Sequence, residues 1–322
     1  QFGVQAGMQL QVLPTHPYNF VLFDNYVRST QPPYQQGLPT NLDRDTNELG
    51  TRVNLSPGGG RLTFNIGYLY GIDFWEPQQL KDFDLMYHRF DLRGSWRFFP
   101  KTAVYIAATE ILNFYQHPGT SAHPNSFPLR IEAGLQGLIT TKLTLNLWIG
   151  YGNGFYQPPP GGTMVIANPN SAIGGLALTW KPTILSTGTL GYTHDFQNST
   201  LGSYYDLDSV YISWTQLIWR FSGFVRLQYS NERFAGICTG PNGMAVTTCM
   251  GAPSAETVAN RVDNLITFNL RIDYPFKEWL IGTVGDDVQA NISNGELMIG
   301  LPGVVPVNYV RNVVYIRLTA SY

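Results

Sequence analysis

Between Leu62 and Phe74 the chain alternates: Leu62, Phe64, Ile66, Tyr68, Tyr70, Ile72 and Phe74 are apolar or aromatic, while Thr63, Asn65, Gly67, Gly71 and Asp73 are small or polar, with Leu69 the exception. Successive side chains of a strand point to opposite faces, so a period of two marks a strand with one apolar face. The pattern recurs. Over 83–99, Met86, His88, Phe90, Leu92, Gly94, Trp96 and Phe98 oppose Tyr87, Arg89, Asp91, Arg93, Ser95 and Arg97. Over 127–140, Leu129, Ile131, Ala133, Leu135 and Ile139 oppose Arg130, Glu132, Gly134 and Gln136. Leu143, Leu145, Leu147, Ile149 and Tyr151 form one face of the next run, and Ile266, Phe268, Leu270, Ile272 and Tyr274 one face of a later one. These runs exceed the ~5–6 residues of an average soluble strand and match the ~9–11 needed to cross a bilayer.

Fourteen strands are expected, over 1–13, 47–56, 61–74, 83–99, 102–114, 127–140, 142–156, 171–181, 183–197, 204–219, 221–234, 259–275, 277–293 and 307–322. The weak signals of 47–56 and 277–293 leave twelve or sixteen open, and Glu110 interrupts the apolar face of 102–114. Tight turns (57–60, 100–101, 140–141, 182, 220, 275–276) alternate with longer gaps, the longest being 14–46 and 235–258. The expectation is one all-β domain over 1–322, an antiparallel up-and-down transmembrane β-barrel with short periplasmic turns and long extracellular loops. An even count would put both termini on the periplasmic side. Four of the five lysines, Lys101, Lys142, Lys181 and Lys277, fall at expected turns, away from an apolar band.

Only 13% of the residues are charged, against roughly 25% for average soluble chains. Aromatic content and a net charge of −2 exclude disorder, and the absence of a basic stripe argues against nucleic acid as a partner. No run approaches the ~18–20 apolar residues of a membrane helix. Strand-like residues follow Gln1 at once, as expected after removal of a signal segment. Cys238 and Cys249, in a Gly- and Thr-rich stretch, are expected to form a loop disulfide in an oxidising compartment.

The final run Val314-Tyr315-Ile316-Arg317-Leu318-Thr319-Ala320-Ser321-Tyr322 alternates and ends on an aromatic residue. It resembles the C-terminal assembly signal of bacterial outer-membrane barrels, and the strand-and-turn pattern resembles the porin and channel superfamily. That resemblance implies an outer-membrane setting with lipid and lipopolysaccharide, and insertion by the barrel-assembly machinery through the last strand. It names no substrate.

The polar faces carry the candidate chemistry. Arg89, Asp91, Arg93 and Arg97 share one face, with the arginines about 13 Å apart at ~3.3 Å per residue. Arg130, Glu132, Arg226, Arg271, Asp273 and Arg317 complete the expected pore lining. Planar guanidinium groups grip carboxylates or phosphates bidentately and suit a charged constriction; equally, Arg and Asp/Glu can simply cross-link a barrel wall. Tyr87, Trp148, Trp219 and Phe224 are expected inward, where they would line an apolar tunnel. No catalytic, cofactor or metal site is expected: His194 and Asp195 are adjacent and point apart, His88 has no serine nearby, and His117 and His123 share a loop without a carboxylate between them. Gly58-Gly59-Gly60 lacks the Lys-Ser/Thr of a phosphate loop. The leading expectation is a passive channel for small solutes, narrowed by the 14–46 and 235–258 segments. The rivals are a closed barrel that binds another envelope protein, and a transporter of hydrophobic molecules opening sideways at the Gly-rich 171–175 or 186–191.

Overall fold

The computed structural model describes residues 3–29, 43–76, 81, 84–116, 125–157, 168–199, 204–235, 238–239, 245–246, 261–294, 296–298, 305–306 and 308–320. The strands are β1 (Val4–Val12), β2 (Tyr18–Ser29), β3 (Arg44–Leu55), β4 (Leu62–Trp75), β5 (Leu85–Phe99), β6 (Thr102–Tyr115), β7 (Leu129–Thr140), β8 (Leu143–Asn153), β9 (Asn170–Thr183) and β10 (Ser186–Asn198). They continue as β11 (Tyr204–Ile218), β12 (Phe221–Ala235), β13 (Cys238–Thr239), β14 (Ala245–Val246), β15 (Val262–Lys277), β16 (Leu280–Ser293), β17 (Glu296–Met298), β18 (Val305–Pro306) and β19 (Tyr309–Ala320). Among the described residues, fifteen long strands form one sheet in chain order, β1 through β12, then β15, β16 and β19. Every neighbouring pair is antiparallel, the hydrogen-bond pattern that two-residue turns permit.

The sheet has one strand more than expected. The segment 14–46 is not a single long loop: the chain reverses within Leu13–Pro17, and β2 pairs along its whole length with β1 and β3. The 30–42 part lies outside the described residues. On β2 the apolar face holds Phe20 and Leu22 but also Asp24 and Arg28, so its alternation fails towards one end. Elsewhere the strands fall within a few residues of the expected ranges. The β9–β10 turn sits at 184–185 rather than at Pro182, and the β15–β16 turn at 278–279 rather than at 275–276.

Tight turns lie on one rim and long connections on the other. The β3–β4 turn contains Gly58, Gly59 and Gly60 at φ of 65°, 70° and 81°, a left-handed run that glycine adopts without a Cβ clash. Lys142 caps the tight rim by donating from Nζ to the Pro182 carbonyl at 2.7 Å. Since fifteen is odd, β1 enters the sheet at the long-connection rim and β19 leaves at the tight-turn rim; the even count behind a common side for both termini does not hold. On the long-connection rim, β13, β14, β17 and β18 pair as a second, small sheet. Cys249 lies outside the described residues, and of Cys238 only the backbone is described, so the expected disulfide lies outside them too.

One face of the large sheet is apolar and exposed: Ile66, Leu92, Ile106, Ile131, Ile149, Ile212, Leu227, Ile272 and Ile316 run across it. The opposite face is polar. Its most deeply buried apolar side chains, Phe196 at 0% exposure and Ile173 at 1%, lie towards the long-connection rim. This distribution, with aliphatic side chains exposed across a whole face of the sheet, is what a wall facing hydrocarbon requires.

Candidate functional site: the polar face

Glycines on the polar face accept aromatic rings from the strand alongside. Tyr105 of β6 lies over Gly134 of β7 so closely that a Cβ there would sit 2.3 Å from the ring. Tyr211 covers Gly191 at 2.2 Å in the same sense, Tyr315 covers Gly285 at 2.3 Å, and Tyr87 covers Gly71 at 2.1 Å. Each ring is thereby pressed flat against the wall with its other face free. Arginines use that face. The Arg93 guanidinium carbon stands 3.7 Å from the Tyr105 ring centre, Arg226 stands 4.1 Å from Tyr211, and Arg317 stands 5.5 Å from Tyr315. Such stacking contributes about 0.5–2 kcal/mol and fixes a charge without neutralising it. The hydrogen-bond acceptors are neutral as well: Arg93 donates to Gln136 Oε1 at 3.0 Å and Arg226 to Gln228 Oε1 at 2.8 Å.

Nearer the long connections, arginines are paired. Arg44 grips Asp73 through two nitrogens beside Trp75, Arg130 meets Asp195 at 3.0 Å beneath Phe196, and Arg261 grips Asp263 against Phe234. Asp263 also accepts from Asn291 Nδ2 at 3.1 Å and from Ser293 Oγ. Arg261 and Asp263 are almost wholly covered, and buried charges survive only when paired in this way.

The expected pore-lining residues thus divide by height. Arg89, Asp91, Arg93, Arg97, Arg130, Glu132, Arg226, Arg271, Asp273 and Arg317 all belong to the polar face. Arg89 pairs with Asp91 at 2.9 Å, and Thr109 adds a hydrogen bond to that carboxylate. Arg271 pairs with Asp273 at 3.0 Å, and Thr283 donates to Asp273 at 2.7 Å. Among the described residues, Arg52, Arg93, Arg97, Arg226 and Arg317 have no carboxylate within ion-pair distance, and all lie in the half of the wall nearer the tight turns. Glu48 and Glu232 lie in the other half, while Glu132 stands level with Arg93 across Ala107. Glu48 accepts from the Tyr87 hydroxyl at 2.5 Å. Arginines without a carboxylate at ion-pair distance and cross-linked pairs both occur on this face, and the Arg271–Asp273 pair lies in the half nearer the tight turns.

Tyr87, Trp148 and Phe224, expected inward, lie on the polar face and pack against it: Trp148 covers Gly175, and Phe224 lies 5.3 Å from the Arg271 guanidinium. Trp219 is not inward; it occupies the β11–β12 turn at φ 55° and is 77% exposed. His194 and Asp195 do point apart: His194 Nδ1 meets Asp208 Oδ1 at 2.8 Å on the apolar face, whereas Asp195 meets Arg130. His117 and His123 lie outside the described residues. The glycines near 171–175 and 186–191 open no gap, since β9 and β10 pair from Thr183 to Gly174.

No protein-family model matches the sequence, and no curated protein does. Solved structures match the fold. The FrpB iron transporter from Neisseria meningitidis, in its F5-1 variant without iron, aligns at a TM-score of 0.58 and 10% identity over 90% of this chain and 52% of its own. The ferric-catecholate import receptor Fiu from E. coli aligns at 0.50 and 10% identity, over 95% of this chain and 60% of its own. The likeness is one of fold, an antiparallel sheet of long strands taken in chain order. This chain spans just over half the length of the structures it matches.

Proposed function

We propose that the chain forms the wall of a transport protein of a bacterial outer membrane and conducts small anionic solutes. The observation that carries this reading is the set of arginines in the tight-turn half of the polar face, three of them raised on aromatic rings with no carboxylate within ion-pair distance. In the wall of a pore they would attract carboxylates or phosphates bidentately. Held on stacked rings, they cannot collapse onto a counter-ion. The long connections, facing outward as outer-membrane barrels arrange them, would put the neutralised half at the mouth and the positive half deeper. Passive diffusion is the simplest transport such a fixed field performs. The proteins similar in fold are described as an iron transporter and a ferric-catecholate import receptor; a ferric catecholate is itself anionic, so the same wall would suit gated uptake of a chelated metal.

Single-channel recording of the purified protein in a planar bilayer tests the reading. With a salt gradient, the reversal potential is expected to show anion preference at 0.1 M salt that collapses at 1 M, where the screening length falls from about 10 Å to about 3 Å. Arg93→Ala with Arg226→Ala is expected to lower the anion-to-cation permeability ratio several-fold, whereas Arg130→Ala, at an already neutral pair, should hinder folding more than selectivity. Folded protein with no conductance, or with selectivity indifferent to Arg93 and Arg226, overturns it.

A further inference from the structure

Glu110 breaks the apolar face of β6, lying between Phe90 of β5 and Leu129 of β7 where every rule of a lipid-facing wall asks for a hydrocarbon side chain. Among the described residues it has no ion pair and no hydrogen bond. It lines a depression of about 530 Å³ at the long-connection rim, together with Leu112, Phe114, Phe127 and Phe155. Phe114 and Phe127 pack with ring centres 5.7 Å apart. Three backbone hydrogen bonds tie the strands around the depression: Ile111 donates to Pro128, Phe127 to Gly154 and Gln157 to Asn125, all at 2.8–3.0 Å.

Phe155 supplies the second observation. Its φ is +43°, a left-handed backbone that strains a non-glycine residue. Two side chains hold that segment: Asn153 Oδ1 accepts from the Phe155 amide at 3.0 Å, and Asn168 Oδ1 accepts from the Tyr156 amide at 2.5 Å. The strain leaves the Phe155 ring 46% exposed at the edge of the depression. A carboxylate framed by aromatic rings is the arrangement that binds an organic ammonium group, the rings offering their negative faces and the carboxylate a full charge. We infer that this depression is a binding site for a quaternary or primary ammonium group, carried either by a lipid headgroup at this level of the membrane or by a free organic cation.

The test uses the full chain in a non-ionic maltoside micelle, with choline chloride titrated by calorimetry, and in nanodiscs of phosphatidylglycerol with or without phosphatidylcholine. The micelle titration is expected to show saturable choline binding that sodium chloride does not reproduce, weakened at least tenfold by Glu110→Gln. Phe155→Gly removes both ring and strain, so it is expected to lose choline binding while unfolding at an equal or higher temperature; a merely structural Phe155 would lose stability instead. Suppression of choline binding by phosphatidylcholine in the nanodisc identifies the headgroup as the natural occupant, and binding indifferent to lipid identifies the free cation. Choline binding that is absent in the micelle, or unchanged in Glu110→Gln, overturns the assignment.

Discussion

At the scale of single residues, the polar face is organised around absent side chains. Gly134, Gly191 and Gly285 each leave a slot, a tyrosine from the next strand fills it, and an arginine rests on the exposed ring. Gly191→Ala places a methyl 2.2 Å from a Tyr211 carbon, so the ring must leave the wall and carry its contact with Arg226 away. Overpacking of this kind costs typically 1–3 kcal/mol. The expected outcome is a lower midpoint in urea unfolding from lipid vesicles. Tyr211→Ala in the same background should recover part of the loss, because the clash disappears with the ring; a Gly191→Ala variant as stable as the parent would refute the slot. That the arginines share one polar face was legible from alternation alone. Their partners were not: Gln136 is 43 residues from Arg93, and Asp195 is 65 from Arg130. Only strand order and register bring such residues together, and a one-dimensional pattern holds neither.

At the scale of elements, alternation located strands well wherever both faces kept their character from rim to rim. It failed at β2, where Phe20, Val21, Leu22 and Phe23 run on without a polar break and the apolar face then turns polar at Asp24, Tyr26 and Arg28. Those residues face the level of β3's Asp45, which accepts from the Tyr26 hydroxyl at 2.7 Å, so the change of character marks the end of the hydrocarbon band rather than the end of the strand. Glu110 hid the facing of β6 for a related reason, being a polar residue on the apolar side near the same rim. The two faces can be compared with one chemical change. Ala107 lies between Arg93 and Glu132, and Ala108 between Leu92 and Ile131, so adjacent alanines at one depth face opposite ways. Ala108→Arg is expected to cost roughly 2–4 kcal/mol in vesicle unfolding, as arginine does in the lipid-facing midplane of a barrel. Ala107→Arg, on the polar side next to Glu132, should change stability by about 1 kcal/mol or less. Equal costs at the two positions would contradict the assignment of faces.

At the scale of the whole molecule, the odd number of strands sets a geometric problem that an even count would not have posed. β1 and β19 are the edges of the sheet, and both run from the long-connection rim to the tight-turn rim. Among the described residues the large sheet gives neither strand a second neighbour, and in hydrocarbon an open strand edge costs several kcal/mol per backbone group. Their side chains already agree: Val4, Ala6, Met8, Leu10 and Val12 of β1 share the apolar face with Val310, Val314, Ile316 and Leu318 of β19, while Gln5, Gln9 and Gln11 share the polar face with Arg311, Tyr315 and Arg317. Two edges that point the same way can join each other only in parallel; antiparallel closure needs one more strand between them. For the chain on its own in a bilayer, the expected outcome is the parallel seam. In a Cys238→Ser, Cys249→Ser background, Gln9→Cys paired in turn with Val313→Cys and Tyr315→Cys should yield an intramolecular disulfide on oxidation, seen as a shifted monomer band that reverts on reduction. Disulfide-linked dimers in place of that band would mean that each edge is completed by another chain, and the charged face described above would then line a larger enclosure built from more than one copy.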